Sequence, residues 1–316
     1  MLLTHIPLFI ISFVAIWFGA GLIIKAVDRI AHQLKLSSFA ISFFVLGILT
    51  SIPETAVSLN AIGEGKPEIF VGTLLGGTVV IFLLIIPLLA ILGKGVKLTS
   101  ELSRKNLGLA LLAMSAPAAM VLDQRVTNFE GLALIAFYAI LFYFVQRKHG
   151  IFDREKSEIF SLKAYSFIDL AKVALGIGIV FIASDYIVDQ TINFSQVFSI
   201  PTFYISLIVL SLGTNLPELS LVVRAIISGK KDIAFGDYLG SASANTLLFG
   251  IFTVMNDGEV ITESHFYITF LFIVFGLGLF YYFARSERNI SVREGFVLIS
   301  VYALFVIYEL GKEIRF

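Results

Sequence analysis

No cysteine occurs among the 316 residues. A disulfide framework, a thiolate metal site and a cysteine nucleophile are excluded together. Charge is also scarce: Asp, Glu, Lys and Arg make up 15% of the chain, against about 25% in ordinary soluble domains. The 23 basic residues are cancelled by 23 acidic ones, which leaves no net positive field to hold a nucleic acid. The histidines, His5, His32, His149 and His265, are scattered, and no His-x-x-x-His spacing supports a metalloprotease site.

What abounds is apolar. Hydrophobic residues make up 58% of the chain, and they fall in uncharged runs such as 1–24, 69–93, 190–217, 238–256 and 264–284. Each is about the length needed to cross a hydrocarbon core as a helix, roughly 20 residues. A water-soluble globule is excluded, and the chain reads as an all-α integral membrane protein of the lipid bilayer. Joining the runs to their amphipathic ends predicts about ten transmembrane helices, near 5–30, 38–62, 68–92, 105–122, 127–146, 166–189, 202–228, 233–255, 264–284 and 294–310. The first basic residue, Lys25, follows the first apolar run, so that run reads as a span and not as a cleaved leader.

The connecting loops differ sharply in charge. One side gathers 17 of the basic residues, from Lys25 through Lys94, Arg147, Lys231 and Arg285 to Arg293, and the other only Lys66, Arg125, Lys312 and Arg315. By the positive-inside rule the first side is cytoplasmic, so both termini are expected outside, with a cytoplasmic membrane as the default location. The polar connector 147–165 divides the chain into two five-helix halves, 1–146 and 166–316. It is too short to hold a folded domain of its own.

The halves are related. Setting Pro53 on Pro217 and Glu54 on Glu218 gives an offset of 164, and 13 of the 35 positions in 50–84 and 214–248 are then identical without a gap. The matches include Thr50/Thr214, Gly65/Gly229, Lys66/Lys230, Gly72/Gly236 and Gly76/Gly240. Shared apolar bias does not pair Thr, Pro, Glu and Lys inside membrane segments, so this is an internal repeat. Five spans separate the copies, so the second enters the membrane from the opposite side: two inverted-topology repeats, an arrangement that recurs in secondary transporters around a midplane substrate site.

Thr50, Ser51 and Glu54 lie on one helix face, as do Thr214, Asn215 and Glu218. Pro53 and Pro217 remove a helical N–H, which frees carbonyls near Leu49 and Gly213. Two carboxylates, several hydroxyls, an amide and free carbonyls make an all-oxygen set of the kind Ca²⁺ prefers. An ionised carboxylate at the bilayer centre costs at least about 2.5 kcal/mol. Glu54 and Glu218 are therefore expected to be neutralised by Ca²⁺, monovalent ions or protons before access can switch, which yields exchange and not leak. Gly72-x-x-x-Gly76 and Gly236-x-x-x-Gly240 read either as close helix packing through small residues or as ligation. An intramembrane enzyme is the competing class, and Asp185-x-x-x-Asp189, read as a water-facing span end, is its only candidate.

Gly47-Ile-Leu-Thr-Ser-Ile-Pro-Glu54, Leu212-Gly-Thr-Asn-Leu-Pro-Glu218 and Gly236-Asp-Tyr-Leu-Gly240-Ser-Ala-Ser-Ala-Asn245 resemble the alpha-repeat signature of the cation/calcium exchanger superfamily. Gly19 to Asp28 and Leu36-Ser-Ser are similar to that family's first span, and the copies extend over about 37–92 and 201–255. The resemblance implies a secondary antiporter exchanging Ca²⁺ for Na⁺ by alternating access, with two peripheral spans sliding against the repeat core. Ca²⁺/H⁺ exchange, or a degenerate member that binds cations without transport, are the alternatives. It implies Glu54 and Glu218 as central Ca²⁺ ligands, further oxygens from Thr50, Ser51, Thr214, Asn215 and Ser241, and Asn245 at a polar position one turn on. No cofactor beyond the transported ions and no protein partner is expected.

The sequence departs from the signature where Gly77 and Ile81 stand opposite Ser241 and Asn245, and where Asp237 and Ala242 replace expected asparagines. The missing oxygens are expected to weaken monovalent-ion sites before the divalent one. Asp237 either replaces lost charge, accepts a proton, or pairs with Arg224 or Lys231.

Overall fold

The computed structural model describes residues 2–33, 47–97, 104–149, 167–228, 231–262, 266–286 and 289–313. Among these residues, seven helices are long and apolar enough to cross a membrane: His5–Lys25, Glu68–Leu92, Ala171–Phe198, Thr202–Ile227, Ala234–Met255, Tyr267–Arg285 and Val292–Gly311. Leu107–Met120 and Asn128–Phe144 are shorter apolar helices. A further helical stretch, interrupted at Ser51, runs as Gly47–Thr50 and Ile52–Gly63, and the expected start of its span, 38–46, lies outside the described residues. So does nearly all of the expected 147–165 connector.

Burial separates an inner and an outer set. Glu68–Val80 buries every residue from Ile69 to Val80, so a helix apolar all round sits at the centre of the protein. The helices Leu2–Gln33 and Phe167–Phe198 present Ile10, Ile11, Val14, Phe18, Leu175 and Ile182 outward, as a lipid-facing surface does. They cross each other where Gly19 and Gly176 meet: a Cβ on either would come within 2.9 or 2.7 Å of the other's carbonyl oxygen. Phe167–Phe198 also corrects an expectation, because the helix continues past residue 189. Asp185 and Asp189 therefore lie on the exposed face within a helix and do not cap its end.

The offset of 164 reaches well beyond the motif. Strand β1, Val96–Lys97, pairs with β4, Asn289–Ile290, through Val96 and Ile290; β2, Arg125–Val126, pairs with β3, Val260–Ile261, through Val126 and Val260. Adding 164 to one partner and subtracting it from the other turns the first ladder into the second. The capping boxes repeat as well. Thr127 N–H donates to Glu130 Oε2 at 2.8 Å while Glu130 N–H donates to Thr127 Oγ1, and Ser291 N–H donates to Glu294 Oε2 at 2.7 Å with the same return bond. Each box satisfies two N–H groups left open at a helix start.

The small residues join the copies to each other. A Cβ on Gly47 would lie 2.5 Å from the Gly240 carbonyl carbon, and one on Gly76 would lie 2.7 Å from the Ser211 Cβ and 2.0 Å from the Leu207 carbonyl oxygen. Gly47 with Gly240 and Ser211 with Gly76 are the same contact at the same offset. Close packing thus accounts for Gly72 and Gly76, since a Cβ on Gly72 would likewise strike Phe203 O at 2.5 Å.

Candidate functional site

Each Pro-Glu helix begins again after a one-residue break. Ser51 has φ −84° and ψ 8°, Asn215 has φ −87° and ψ 15°, and neither belongs to the helix on either side. The helix preceding the second break is itself loosened, because Ser206–Leu210 is a π turn just before Ser211–Thr214. Such single π turns concentrate at functional sites. At each break the residue's own side chain caps the chain behind it. Ser51 Oγ donates to the Gly47 carbonyl at 2.9 Å, and Asn215 Nδ2 donates to the Ser211 carbonyl at 2.8 Å. Glu54 and Glu218 then fall in the first turn of the following helix, where the exposed N–H groups and the helix dipole favour negative charge.

All nine residues expected at the site are buried, none more than 2% exposed. Eight of them meet. Asn215 Nδ2 donates to Glu54 Oε1 at 3.1 Å, Ser241 Oγ donates to Glu218 Oε1 at 2.8 Å, and the Ser51 and Ser241 hydroxyls are 3.4 Å apart. Thr214 faces Glu54 and Thr50 faces Glu218, so each carboxylate is approached by the threonine of the other copy. Asn245 borders the same space: a Cβ on Gly77 would lie 2.9 Å from Asn245 Nδ2 and 3.2 Å from Asn215 Nδ2.

That last contact shows what fills the space beside Gly77. Gly77 is equivalent to Ser241, which bonds Glu218, so the hydroxyl that would bond Glu54 is absent. The Asn215 amide occupies the gap and supplies the bond to Glu54 instead. Ile81, equivalent to Asn245, is buried at 0% exposure and faces neither lipid nor water.

Several oxygens remain without partners. Glu54 Oε2, Glu218 Oε2, Asn215 Oδ1 and both polar atoms of Asn245 are buried and accept or donate nothing. Buried polar groups are ordinarily satisfied, and a cluster of open acceptors around two carboxylates has the chemistry of a cation cradle. Among the described residues no three Asp, Glu or His side chains converge on one point. The Glu54 and Glu218 carboxylates with neutral oxygens around them make up the cradle, and Asp237 lies one turn before Ser241 on helix Lys231–Met255. The ion pair considered for Asp237 is not formed with Lys231, whose ammonium donates to the Gly93 and Gly95 carbonyls.

Two contributors lie outside the expected set of ligands. Tyr238 Oη donates to the Glu218 carbonyl at 3.2 Å, while Ser58 Oγ donates to the Glu54 carbonyl at 2.6 Å; these come from non-equivalent positions of the two copies. Phe13, on the first helix, lies against the second break, where a Cβ on Gly213 would sit 1.9 Å from its ring. Tyr238 could be suspected only from its place beside Asp237, and nothing in the sequence singles out Phe13.

Comparisons with known proteins give the family and the fold. The family described as sodium/calcium exchanger protein matches residues 4–146 and 169–311, one match to each half. The inner membrane protein YrbG of Escherichia coli is 24% identical over 268 residues, covering 82% of each chain. The sodium/calcium exchanger MaX1 of Methanosarcina acetivorans is 23% identical, covering 97% of this chain and 99% of that one. A structure of the sodium-calcium exchanger NCX_Mj soaked with 2.5 mM Na⁺ and 1 mM Sr²⁺ aligns at TM-score 0.68 and 21% identity over 96% of this chain and 98% of that one, a likeness of fold. With both halves matched, the chain is an integral membrane protein and belongs to the sodium/calcium exchanger family.

Proposed function

We propose that the protein is a secondary antiporter that exchanges Ca²⁺ for Na⁺ by alternating access. The observation that carries this reading is the pair Glu54 and Glu218: fully buried, each at the start of a helix that follows a break, each approached from the opposite copy, and each with one open oxygen. Two carboxylates balance one Ca²⁺. Asn215, Asn245, Thr50, Ser51, Thr214 and Ser241 bring neutral oxygens toward the 6–8 that Ca²⁺ takes. Two Na⁺ ions balance the same charge. The empty carrier holds uncompensated carboxylates in low dielectric, which opposes switching without an ion aboard. The family and the exchangers named among its relatives support cation exchange involving Ca²⁺.

The orientation belongs to the same reading. Loops joined in one ladder lie on one side of the membrane. The β1–β4 ladder joins loops carrying Lys94, Lys97, Arg285 and Arg293, all on the basic side, whereas β2 and β3 belong to the sparsely charged side. Two copies of one ladder on opposite sides are what inverted five-helix halves generate, with both termini outside a cytoplasmic membrane.

The test is uptake of radiolabelled Ca²⁺ into proteoliposomes, driven by an outward Na⁺ gradient or by a pH gradient alone. Uptake under the Na⁺ gradient is the expected result. Uptake under the pH gradient only identifies a Ca²⁺/H⁺ exchanger, and Ca²⁺ binding without uptake under either identifies a family member that no longer transports.

A further inference from the structure

The helices Leu2–Gln33 and Phe167–Phe198 form an outer pair, joined where Gly19 meets Gly176. The inner helices are pinned to one another where Gly47 meets Gly240 and Gly76 meets Ser211, with no room for a methyl between them. The joint between the pair and the core is of another kind. Ala56, Val57 and Ala61 of helix Ile52–Gly63 share apolar clusters with Val180, Ala183 and Ile187 of Phe167–Phe198, and all six are aliphatic. Apolar burial is non-directional, so such a seam does not by itself fix one register. With every expected ligand at most 2% exposed, an ion reaches the site only when a joint of this kind opens.

A polar contact crosses this seam. Asn60 Nδ2 donates to Ser184 Oγ at 2.7 Å and to the Phe181 carbonyl at 3.2 Å, and Ser184 Oγ donates to the same carbonyl at 2.9 Å, which closes a triangle. Ser184 is fully buried. Asn60 belongs to the short helix that begins with Pro53 and Glu54, so the triangle ties the outer pair to a helix that carries a site carboxylate. The second copy lacks this hydroxyl, since Ser184 falls on Ala20 at the offset of 164. Nor does the contact reform at a neighbouring register. The next hydroxyl on that face of Phe167–Phe198 is Thr191, about 10.5 Å on, with the apolar Ile187 and Val188 between.

We propose that Asn60 is a positioning residue of the transport cycle: its bond to Ser184 is a latch that holds the outer pair closed against the Glu54 helix and must break before access switches. The inference rests on the exchanger reading and names the contact that governs its switching step. Asn60 reaches across the seam, so the latch bears on how often the site opens and not on how tightly it grips Ca²⁺. One hydrogen bond present in the closed state and absent from the opened one disfavours opening about fivefold.

The experiment uses the full-length protein carrying Asn60→Ala, Ser184→Ala, both together, or Ser184→Thr. Neither alanine change strands a polar group, because the partner left behind keeps the Phe181 carbonyl. In proteoliposomes the maximal rate of Ca²⁺/Ca²⁺ self-exchange is expected to rise about fivefold in Asn60→Ala and about twofold or more in Ser184→Ala, where the bond to Phe181 persists. The double variant is expected to match Asn60→Ala alone, because the two changes remove one contact. Half-saturating Ca²⁺ is expected to stay constant throughout, and Ser184→Thr, which keeps the hydroxyl, to stay near wild type. In purified protein, Val57→Cys, at a fully buried seam position, is expected to react with a soluble thiol reagent about fivefold faster when combined with Asn60→Ala. If Asn60→Ala does not fold, Ser184→Ala carries both measurements. Exchange that is unchanged or slower in the single variants, effects that multiply in the double one, or a shift in half-saturating Ca²⁺ as large as the change in rate overturns the latch. A wild type that binds Ca²⁺ and exchanges none overturns the exchanger reading itself, and labelling at Val57→Cys then still decides whether Asn60 holds the seam.

Discussion

Gly76→Ala tests how closely the two copies must approach for the site to form. The added methyl would sit 2.0 Å from the Leu207 carbonyl oxygen and 2.7 Å from both the Ser211 Cβ and Oγ. Two of these obstacles sit on or next to the backbone, so no rotamer change relieves them. Restoring ordinary van der Waals separation parts the helices Glu68–Val80 and Ser206–Leu210 by roughly 1.4 Å. Overpacking of this kind costs about 1–3 kcal/mol. The larger effect is on the cradle. Ser211–Thr214 moves with its helix and carries the Asn215 amide, whose 3.1 Å bond to Glu54 cannot survive a displacement of that size. The expected outcome is a lowered melting temperature in detergent together with a loss of Ca²⁺ affinity of about tenfold or more, since one hydrogen bond to a charged group contributes about 1.5–3 kcal/mol. Gly278→Ala is the control, because a Cβ there meets nothing within 4 Å. Wild-type stability and Ca²⁺ affinity in Gly76→Ala would refute the argument that this contact sets the site.

Three further outcomes follow from the same geometry. Gly77→Ser with Ile81→Asn restores the side-chain oxygens of the second copy at the first, displaces the Asn245 and Asn215 amides, and is expected to change the Na⁺ midpoint of Ca²⁺ flux more than its Ca²⁺ midpoint; a Na⁺ titration with unchanged midpoint and slope contradicts this. In this cysteine-free chain, a cysteine at Glu259 is expected to react with an impermeant thiol reagent in intact cells and one at Ser157 to resist it, and the reverse pattern overturns the orientation. Removing either capping box, by Thr127→Ala or Ser291→Ala, is expected to lower stability by about 1 kcal/mol while leaving the Ca²⁺ midpoint unchanged. A shifted midpoint would mean that these helix starts bear on the site.

The repeated motif was legible because its residues are costly in a membrane. Glu54 and Glu218, with Pro53 and Pro217, break both the apolar rule and the helical rule at one offset, and only a shared site explains both. The capping boxes at Thr127 and Ser291 were equally present in the sequence, but outside the motif such polar pairs read as ordinary helix starts. What stayed hidden was the partnering between copies. Gly77 reads as a missing ligand, and that an amide 138 positions on along the chain fills its place depends on the three-dimensional approach of Asn215. Phe13 against Gly213 is a contact of shape between an apolar side chain and bare backbone, for which sequence patterns hold no sign. The end of the long helix past Asp189 was misjudged for a similar reason, since its exposed acids sit on a face and do not mark a terminus.

The central claim, that Glu54 and Glu218 together hold the exchanged ion, is tested most directly by Na⁺-gradient-driven uptake of radiolabelled Ca²⁺ in proteoliposomes carrying Glu54→Gln or Glu218→Gln. Each change removes one of two balancing charges, adds no buried charge and nearly preserves volume, so the protein is expected to fold and insert normally while Ca²⁺ uptake is abolished in both variants. Wild-type uptake by either variant, correctly inserted, would contradict the account.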